Sequence, residues 1–332
     1  MPNLIAIAQD ACINCRYTRM KCQACRSVCP VALDSSDELG MNCSDCGLCI
    51  SVCPADAITS ENYSANGFER LLCEPGTVRL ACRRRQEDSE WPCLGFLSER
   101  LLLALAYSPE ATGRPIIIDS AGCAACNASV FKHIDDIIGE TNILLRALGK
   151  KTIAVLAPGE KNDFRPKAVS RRQFFSHLFG AAVTTVTEVM APGLRGKSRL
   201  PRLVWFDQYA KPSIDSGVAV QQQVFKSLTI SQACDGCGIC AGICHRKALT
   251  VQIDGHVLQM SHDPLVCVDC GVCVEHCPHA AIKMCTVETL NKRMAHIAEL
   301  PVCRDCGMHF QPVGGHSICM DCLLKAKLQV IW

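Results

Sequence analysis

The sequence predicts an α+β protein in which two cysteine-rich modules flank a small α/β domain with a parallel sheet, and a four-cysteine knuckle follows near the C-terminus. Three observations carry that expectation. Cysteines recur in closely spaced sets towards both ends, short β-rich runs alternate with helical apolar spacing between them, and two C-x2-C pairs follow residue 300. The boundaries read as 1–67, 68–160, a connector at 161–229, then 230–290 and 300–325. A length of 332 residues leads one to expect two to four domains.

The second module is the clearest. Cys234, Cys237, Cys240 and Cys244, then Cys267, Cys270, Cys273, Cys277 and Pro278, read twice as C-x2-C-x2-C-x3-C. Three thiolates on one tight loop suit three irons of a cubane, while the fourth reaches a different cubane. The stretch resembles the bacterial two-cluster [4Fe-4S] ferredoxins. That resemblance implies a ferredoxin-like α+β fold, with Cys234, Cys237, Cys240 and Cys277 on one cluster and Cys267, Cys270, Cys273 and Cys244 on the other. Asp254-Gly255 between alternating runs predicts a β-hairpin in the spacer. His245 stands where the pattern has proline, which frees φ there and brings a hydrogen-bond donor towards sulfur. A disulfide framework is disfavoured, because such scaffolds are short and secreted.

The first module repeats the idea. Cys43, Cys46, Cys49, Cys53 and Pro54 form a complete motif, preceded by a stretched one containing Cys12, Cys15, Cys22, Cys25, Cys29 and Pro30. Counting back from Cys29 gives Cys22 and Cys25 the second and third ligand places, with Cys15 as first ligand across a longer loop. The expected sets are Cys15, Cys22, Cys25 and Cys53, and Cys43, Cys46, Cys49 and Cys29. Cys12 is then a spare thiol.

In the central domain, Thr77–Ala81, Pro115–Asp119 and Ile153–Ala157 read as strands, and 94–107 and 129–148 as helices. Cys82 ends the first strand, Cys123 and Cys126 follow the second, Cys93 opens a helix and Cys73 leads in. Sites in open α/β sheets form beyond the carboxyl ends of strands, so Cys82, Cys123 and Cys126 should converge, completed by Cys93 or Cys73. The segment resembles the iron-sulfur delta subunit of methyl-viologen-reducing hydrogenases, which implies an additional cluster. Its C-x2-C pair is closer than that family's and leaves the cluster type open. A metal or cluster site is favoured over a thiol-disulfide pair or structural cysteines.

The connector carries prolines and a basic run, read as solvated linker. Within it, Ser170-Arg171-Arg172-Gln173-Phe174-Phe175 matches the twin-arginine export consensus, but it follows a cysteine-rich region instead of heading the chain. Twin arginines before ferredoxin motifs resemble the cytoplasmic ferredoxin-like accessory protein of periplasmic nitrate reductase. An amphipathic helix with its arginines in water is the preferred reading. Cys303, Cys306, Cys319 and Cys322 read as a closed, zinc-ribbon-like site, with zinc preferred over rubredoxin-like iron.

Composition narrows the function. There are 27 cysteines, and 34 basic residues nearly balance 32 acidic ones, so no bulk field draws the chain to nucleic acid or an anionic membrane. The first residues lack a basic region and a long apolar core, and no apolar run reaches the ~18 to 20 residues of a membrane span. The sequence shows no catalytic triad and no phosphate-binding or nicotinamide fingerprint. The expectation is a cytoplasmic, non-catalytic electron-transfer subunit of an anaerobe's oxidoreductase complex. It would hold four [4Fe-4S] clusters and one zinc, and relay low-potential electrons between protein partners. The alternative is an assembly protein for a molybdenum or other iron-sulfur enzyme, and a zinc-ribbon nucleic-acid protein ranks last.

Overall fold

In the computed structural model, residues 5–31, 42–63, 65–73, 75–156, 202–220, 223–312 and 316–329 are described. In the first module, Ala6–Ile7 (β1) pairs antiparallel with Ile58–Thr59 (β2). Between them lie one-turn helices at Ile13–Arg16 (α1), Ala24–Ser27 (α2) and Leu48–Val52 (α3). Helices this short have no independent stability. They are held by cysteine-bearing loops and by a shared core.

Asn66–Cys73 (α4) leads into the central domain. There Val78–Leu80 (β3), Ile116–Ile118 (β4) and Ala154–Val155 (β5) form a parallel sheet in the order β3-β4-β5. Two helices cover it. Glu99–Tyr107 (α5) starts at Ser98, whose side chain accepts from the Leu101 N–H, and it buries Leu101, Leu102, Leu103 and Leu105. Ala128–Ala147 (α7) starts at Asn127, whose side chain accepts from Val130 N–H. Between β4 and α7 lies the turn Cys123–Cys126 (α6).

Arg202–Trp205 (α8) begins the next described stretch and packs on α5 with the π-helical turn Phe206–Ala210. The second module follows: Lys226–Ile230 (β6), Ile239–Ile243 (α9), Leu249–Asp254 (β7), Val257–His262 (β8), Val272–Glu275 (α10), Ile282–Thr286 (β9) and Arg293–Glu299 (β10). β6 pairs with β9, and β8 lies between β7 and β10. Met320–Gln329 (α11) is the last helix.

Four details differ from the sequence expectation. Asp254 pairs with Val257, so the hairpin turn is Gly255-His256, with Gly255 in the left-handed region (φ 57°). The β-hairpin gains a third strand, β10, from residues not read as strand. Cys93 does not open a helix, because α5 begins six residues later at its Ser98 cap. Residues 202–220 and 223–229, read as the end of a linker, are built into the fold: Phe206 and Phe225 are fully buried. The Arg171-Arg172 pair lies outside the described residues.

The modules also share their packing. One core joins Ile50, Phe68, Leu80, Phe96, Leu102 and Phe206 with Leu265 and Leu290. A separate core of Leu228, Leu249, Leu258 and Ile282 fills the second module. A third cluster, with Ile13, Ala55, Ala57 and Val272 buried, lies where the two modules meet.

Candidate metal centres

Three of the four cysteine motifs share one backbone path. The residue two after the first cysteine has positive φ (Asp45 54°, Gly236 78°, Asp269 53°), as does the glycine before the one-turn helix (Gly47 79°, Gly238 72°, Gly271 72°). So does the residue three after the fourth cysteine (Asp56 49°, Lys247 57°, Ala280 46°). Left-handed non-glycine residues cost on the order of 1–3 kcal/mol each, so their threefold recurrence shows that the site imposes them. The path turns one backbone N–H onto the fourth sulfur each time: Ala57 N to Cys53 Sγ, Ala248 N to Cys244 Sγ and Ala281 N to Cys277 Sγ, all 3.3 Å. The stretched motif Cys12–Cys29 shows no positive φ among its residues.

In the second module the thiols converge as two crossed sets. One cavity is lined by Cys234, Cys237, Cys240 and Cys277, and another by Cys244, Cys267, Cys270 and Cys273. Burial pushes Cys240 up to about 12, and Cys234, Cys237 and Cys277 add to the effect. Burial likewise pushes Cys273 up to about 12, with Cys267, Cys270, Cys240 and Cys244 adding. Thiols crowded so that each opposes its neighbours' ionisation need a cationic centre to become thiolates. The donor sets therefore fit cubane clusters.

In the first module burial governs the thiols in the same way. Burial raises Cys25, followed by Cys53 and Cys22, while Cys43 is raised by burial with Cys46 and Cys29 among its charged neighbours. Cys49 is raised by burial, then by Cys46, Cys43, Cys25 and Cys29, so it faces both sets. Cys12 adds slightly to the raising of Cys25, and Cys12 and Cys53 each pack against the Ile13, Ala55, Ala57 and Val272 cluster at the module junction. Cys15 is exposed and is raised by its hydrogen bond to the Cys12 thiol. Cys12, which sequence spacing left spare, and Cys15 therefore lie side by side next to this set.

In the central domain, β3 and β4 run parallel, with Asp119 N–H donating to Leu80 O at 2.9 Å, so the chain leaves both strands on the same side. Arg83 N–H donates to Trp91 O at 2.9 Å and closes the loop between Cys82 and Cys93. Arg84 donates to Cys126 Sγ at 3.0 Å. Burial pushes Cys123 up to about 12, with Cys82, Cys93 and Cys126 adding, and pushes Cys93 up to about 11, with Cys46 and Cys82 adding. Cys73 stands apart, exposed at the end of α4 beside a groove with Trp205 and Tyr209.

The last four cysteines are tighter. The sulfurs of Cys303, Cys306, Cys319 and Cys322 lie within 4.8 Å of one another, and Cys306 and Cys319 are 3.7 Å apart. A tetrahedral ion with metal–sulfur bonds of ~2.3 Å separates its sulfurs by about 3.8 Å. Among the described residues, no other His, Cys, Asp or Glu group draws together this closely. Burial works to raise Cys303, but N–H groups of Cys319, Cys306 and Asp305 overcome it and bring the thiol down to about 6.

Side chains lock the modules together. Tyr17 Oη donates to Ile243 O at 2.8 Å and its ring meets His276 edge-on at 5.5 Å. Cys12 and Cys53 pack with Cys270 around the same cluster of side chains. A cleft of about 920 Å³ opens there, lined by Cys22 and Cys53 on one side and Cys270 on the other. From α5, Arg100 donates to Leu265 O at 2.7 Å and to Cys267 O, while stacking over Phe206 and Phe225.

Comparison with known families agrees with this geometry. Residues 233–281 match the 4Fe-4S dicluster domain, and residues 41–59 match the 4Fe-4S binding domain. These are iron-sulfur binding regions. They contain the eight motif cysteines of the second module, Cys234 to Cys277, and Cys43 to Cys53 of the first, which corresponds to at least two clusters and an iron-sulfur electron-transfer role. Neither match reaches Cys12 to Cys29, the central domain or the terminal cysteines, and the resemblance to the hydrogenase delta subunit gains no support. A search of curated proteins finds no match. No helix among the described residues is long and apolar enough to cross a membrane.

Proposed function

We propose that this chain is a multi-cluster electron-transfer subunit that relays low-potential electrons between partner oxidoreductases. The observation that carries the proposal is that the cysteine sets follow one another through the fold, each beside the next. Cys93 links the central thiols to the Cys29/Cys43/Cys46/Cys49 set through Cys46. Cys25 of the next set opposes ionisation of Cys49, Cys53 of that set and Cys270 both pack against the Ile13, Ala55, Ala57 and Val272 cluster at the module junction, and Cys240 of the last set opposes ionisation of Cys273. A protein that only stored clusters would have no need of this order.

When bound, such clusters supply one-electron redox steps over a potential range of roughly −700 to +450 mV set by their surroundings. The chain's own residues provide those surroundings. The crossed cysteines bind, the recurrent left-handed turns aim N–H groups at sulfur, and the apolar cores exclude water. We assign four cubanes to the two modules, with Cys12 as the ligand completing the Cys22/Cys25/Cys53 set, and a further cluster or metal to Cys82, Cys93, Cys123 and Cys126. Structural zinc is assigned to Cys303, Cys306, Cys319 and Cys322. The assembly-protein alternative drew on the Arg171-Arg172 pair, and nothing among the described residues favours it.

Anaerobic iron and sulfide analysis tests the cluster count, with ~16 irons expected from four cubanes before any central cluster is added. Eight irons or fewer would remove the row. Redox-titrated EPR on the same sample should show spin coupling between neighbouring reduced centres, and magnetically isolated centres would contradict the relay.

A further inference from the structure

β8 runs beside both cavities of the second module and presents a different side chain to each. Its buried face alternates Leu258, Met260 and His262, exposed by 0%, 1% and 0%. Met260 lines the cavity of Cys234, Cys237, Cys240 and Cys277, its Sδ 3.7 Å from Cys240 Sγ. Two residues on, on the same face of the strand, His262 lines the cavity of Cys244, Cys267, Cys270 and Cys273. Neither ring nitrogen of His262 has a hydrogen-bond partner among the described residues.

That pattern calls for an acceptor. Burial holds the imidazole neutral, with its pKa down at about 4 and Arg293 contributing, so one ring nitrogen carries a hydrogen. A buried donor left unpaired loses its hydration without compensation. Each site has one N–H on the fourth sulfur of a motif at the same 3.3 Å, from Ala248 and from Ala281. At the Met260 site the nearby imidazole, His279, is 41% exposed and holds Asp235 at 2.8 Å through Nε2. His245 Nε2 also lines the His262 cavity and has no hydrogen-bond partner among the described residues.

We propose that His262 donates a hydrogen bond to a sulfur of the cluster cradled by Cys244, Cys267, Cys270 and Cys273. This raises its reduction potential above that of the cluster beside Met260. The proposal rests on the reading that both cavities hold clusters. A donor at sulfur favours the reduced, more negative state, and hydrogen bonding to sulfur is among the factors that set such potentials. The raised centre is the one whose Cys270 packs against the first module. His262 is thus a positioning residue that biases where an electron rests within the row.

The test uses full-length protein purified without oxygen, carrying His262→Met or His262→Gln and titrated electrochemically by EPR. Iron and sulfide should be unchanged, one potential should fall in the Met variant with the others fixed, and Gln, which keeps a donor, should recover part of the shift. Full cluster content with unshifted potentials in the Met variant would overturn the proposal. Fewer than two clusters in this module of the unaltered protein would overturn the underlying reading instead. If the Met variant loses iron, pulsed EPR on protein labelled with nitrogen-15 histidine decides. A nitrogen coupling absent from the Gln variant supports His262, and one retained there, or none in the parent, refutes it.

Discussion

Arg202 and Asp56 form a buried ion pair across 146 residues of sequence, with side chains only 6% and 7% exposed. Arg202 Nε donates to Asp56 Oδ1 at 2.8 Å, and its other nitrogens reach Ser51 O and Cys53 O. Leu203 N–H closes the ring on Asp56 Oδ2 at 3.0 Å. The first described residue of the 161–229 connector therefore clamps the Cys53 turn, whose residue Asp56 is itself left-handed at φ 49°.

Removing one partner of a buried pair leaves the other's charge uncompensated. Arg202→Ala should cost about 3–5 kcal/mol in anaerobic denaturant unfolding. Retention of parental stability would show that the clamp is peripheral.

The packing of Cys12 and Cys15 gives opposite outcomes for two similar substitutions. Cys12→Ser should remove one cluster's iron and shift the charge-transfer absorbance accordingly, whereas Cys15→Ser should leave the iron count intact. The reverse result would restore the ligand order suggested by spacing alone.

Gly95 has no room for a side chain, since a Cβ there would stand 2.3 Å from Cys46 O. Gly95→Ala must push the Cys46 loop away from the central domain. The expected result is loss of iron from the Cys29/Cys43/Cys46/Cys49 set with second-module EPR signals unchanged. A parental spectrum would mean that the contact relaxes at no cost to the site.

Cys123→Ala should leave four cubanes and remove a separate contribution of iron or metal from the central thiols. If metal analysis is identical to the parent, those cysteines are structural.

At the terminal site, zinc has no accessible redox change and closed thiolate sites contribute folding free energy directly. Cys306→Ser should lower zinc to near zero and loosen the segment beyond residue 300 in hydrogen exchange, with cubane reduction unaffected. Loss of a reducible signal instead would identify iron.

Cysteine spacing alone was enough to locate the two modules, because three ligands per cluster lie on one loop and geometry forbids the fourth from joining them. Alternating strand and helix patterns foretold the parallel sheet, since apolar period reports which face is buried. Other features depend on residues far apart in sequence. Cys12 lies near Cys25 because the N-terminal turn packs between the modules, and Cys93 meets Cys46 because Gly95 lets two backbones touch. Residues 202–229 read as linker because their proline and charge content hides Arg202, whose partner Asp56 lies far upstream. His262 carries no motif at all. Only the register of β8 between β7 and β10 turns it, two residues from Met260, into the second cavity. Local spacing determined which cysteines can share a cluster, and tertiary packing decided which clusters are neighbours and which side chains face their sulfurs.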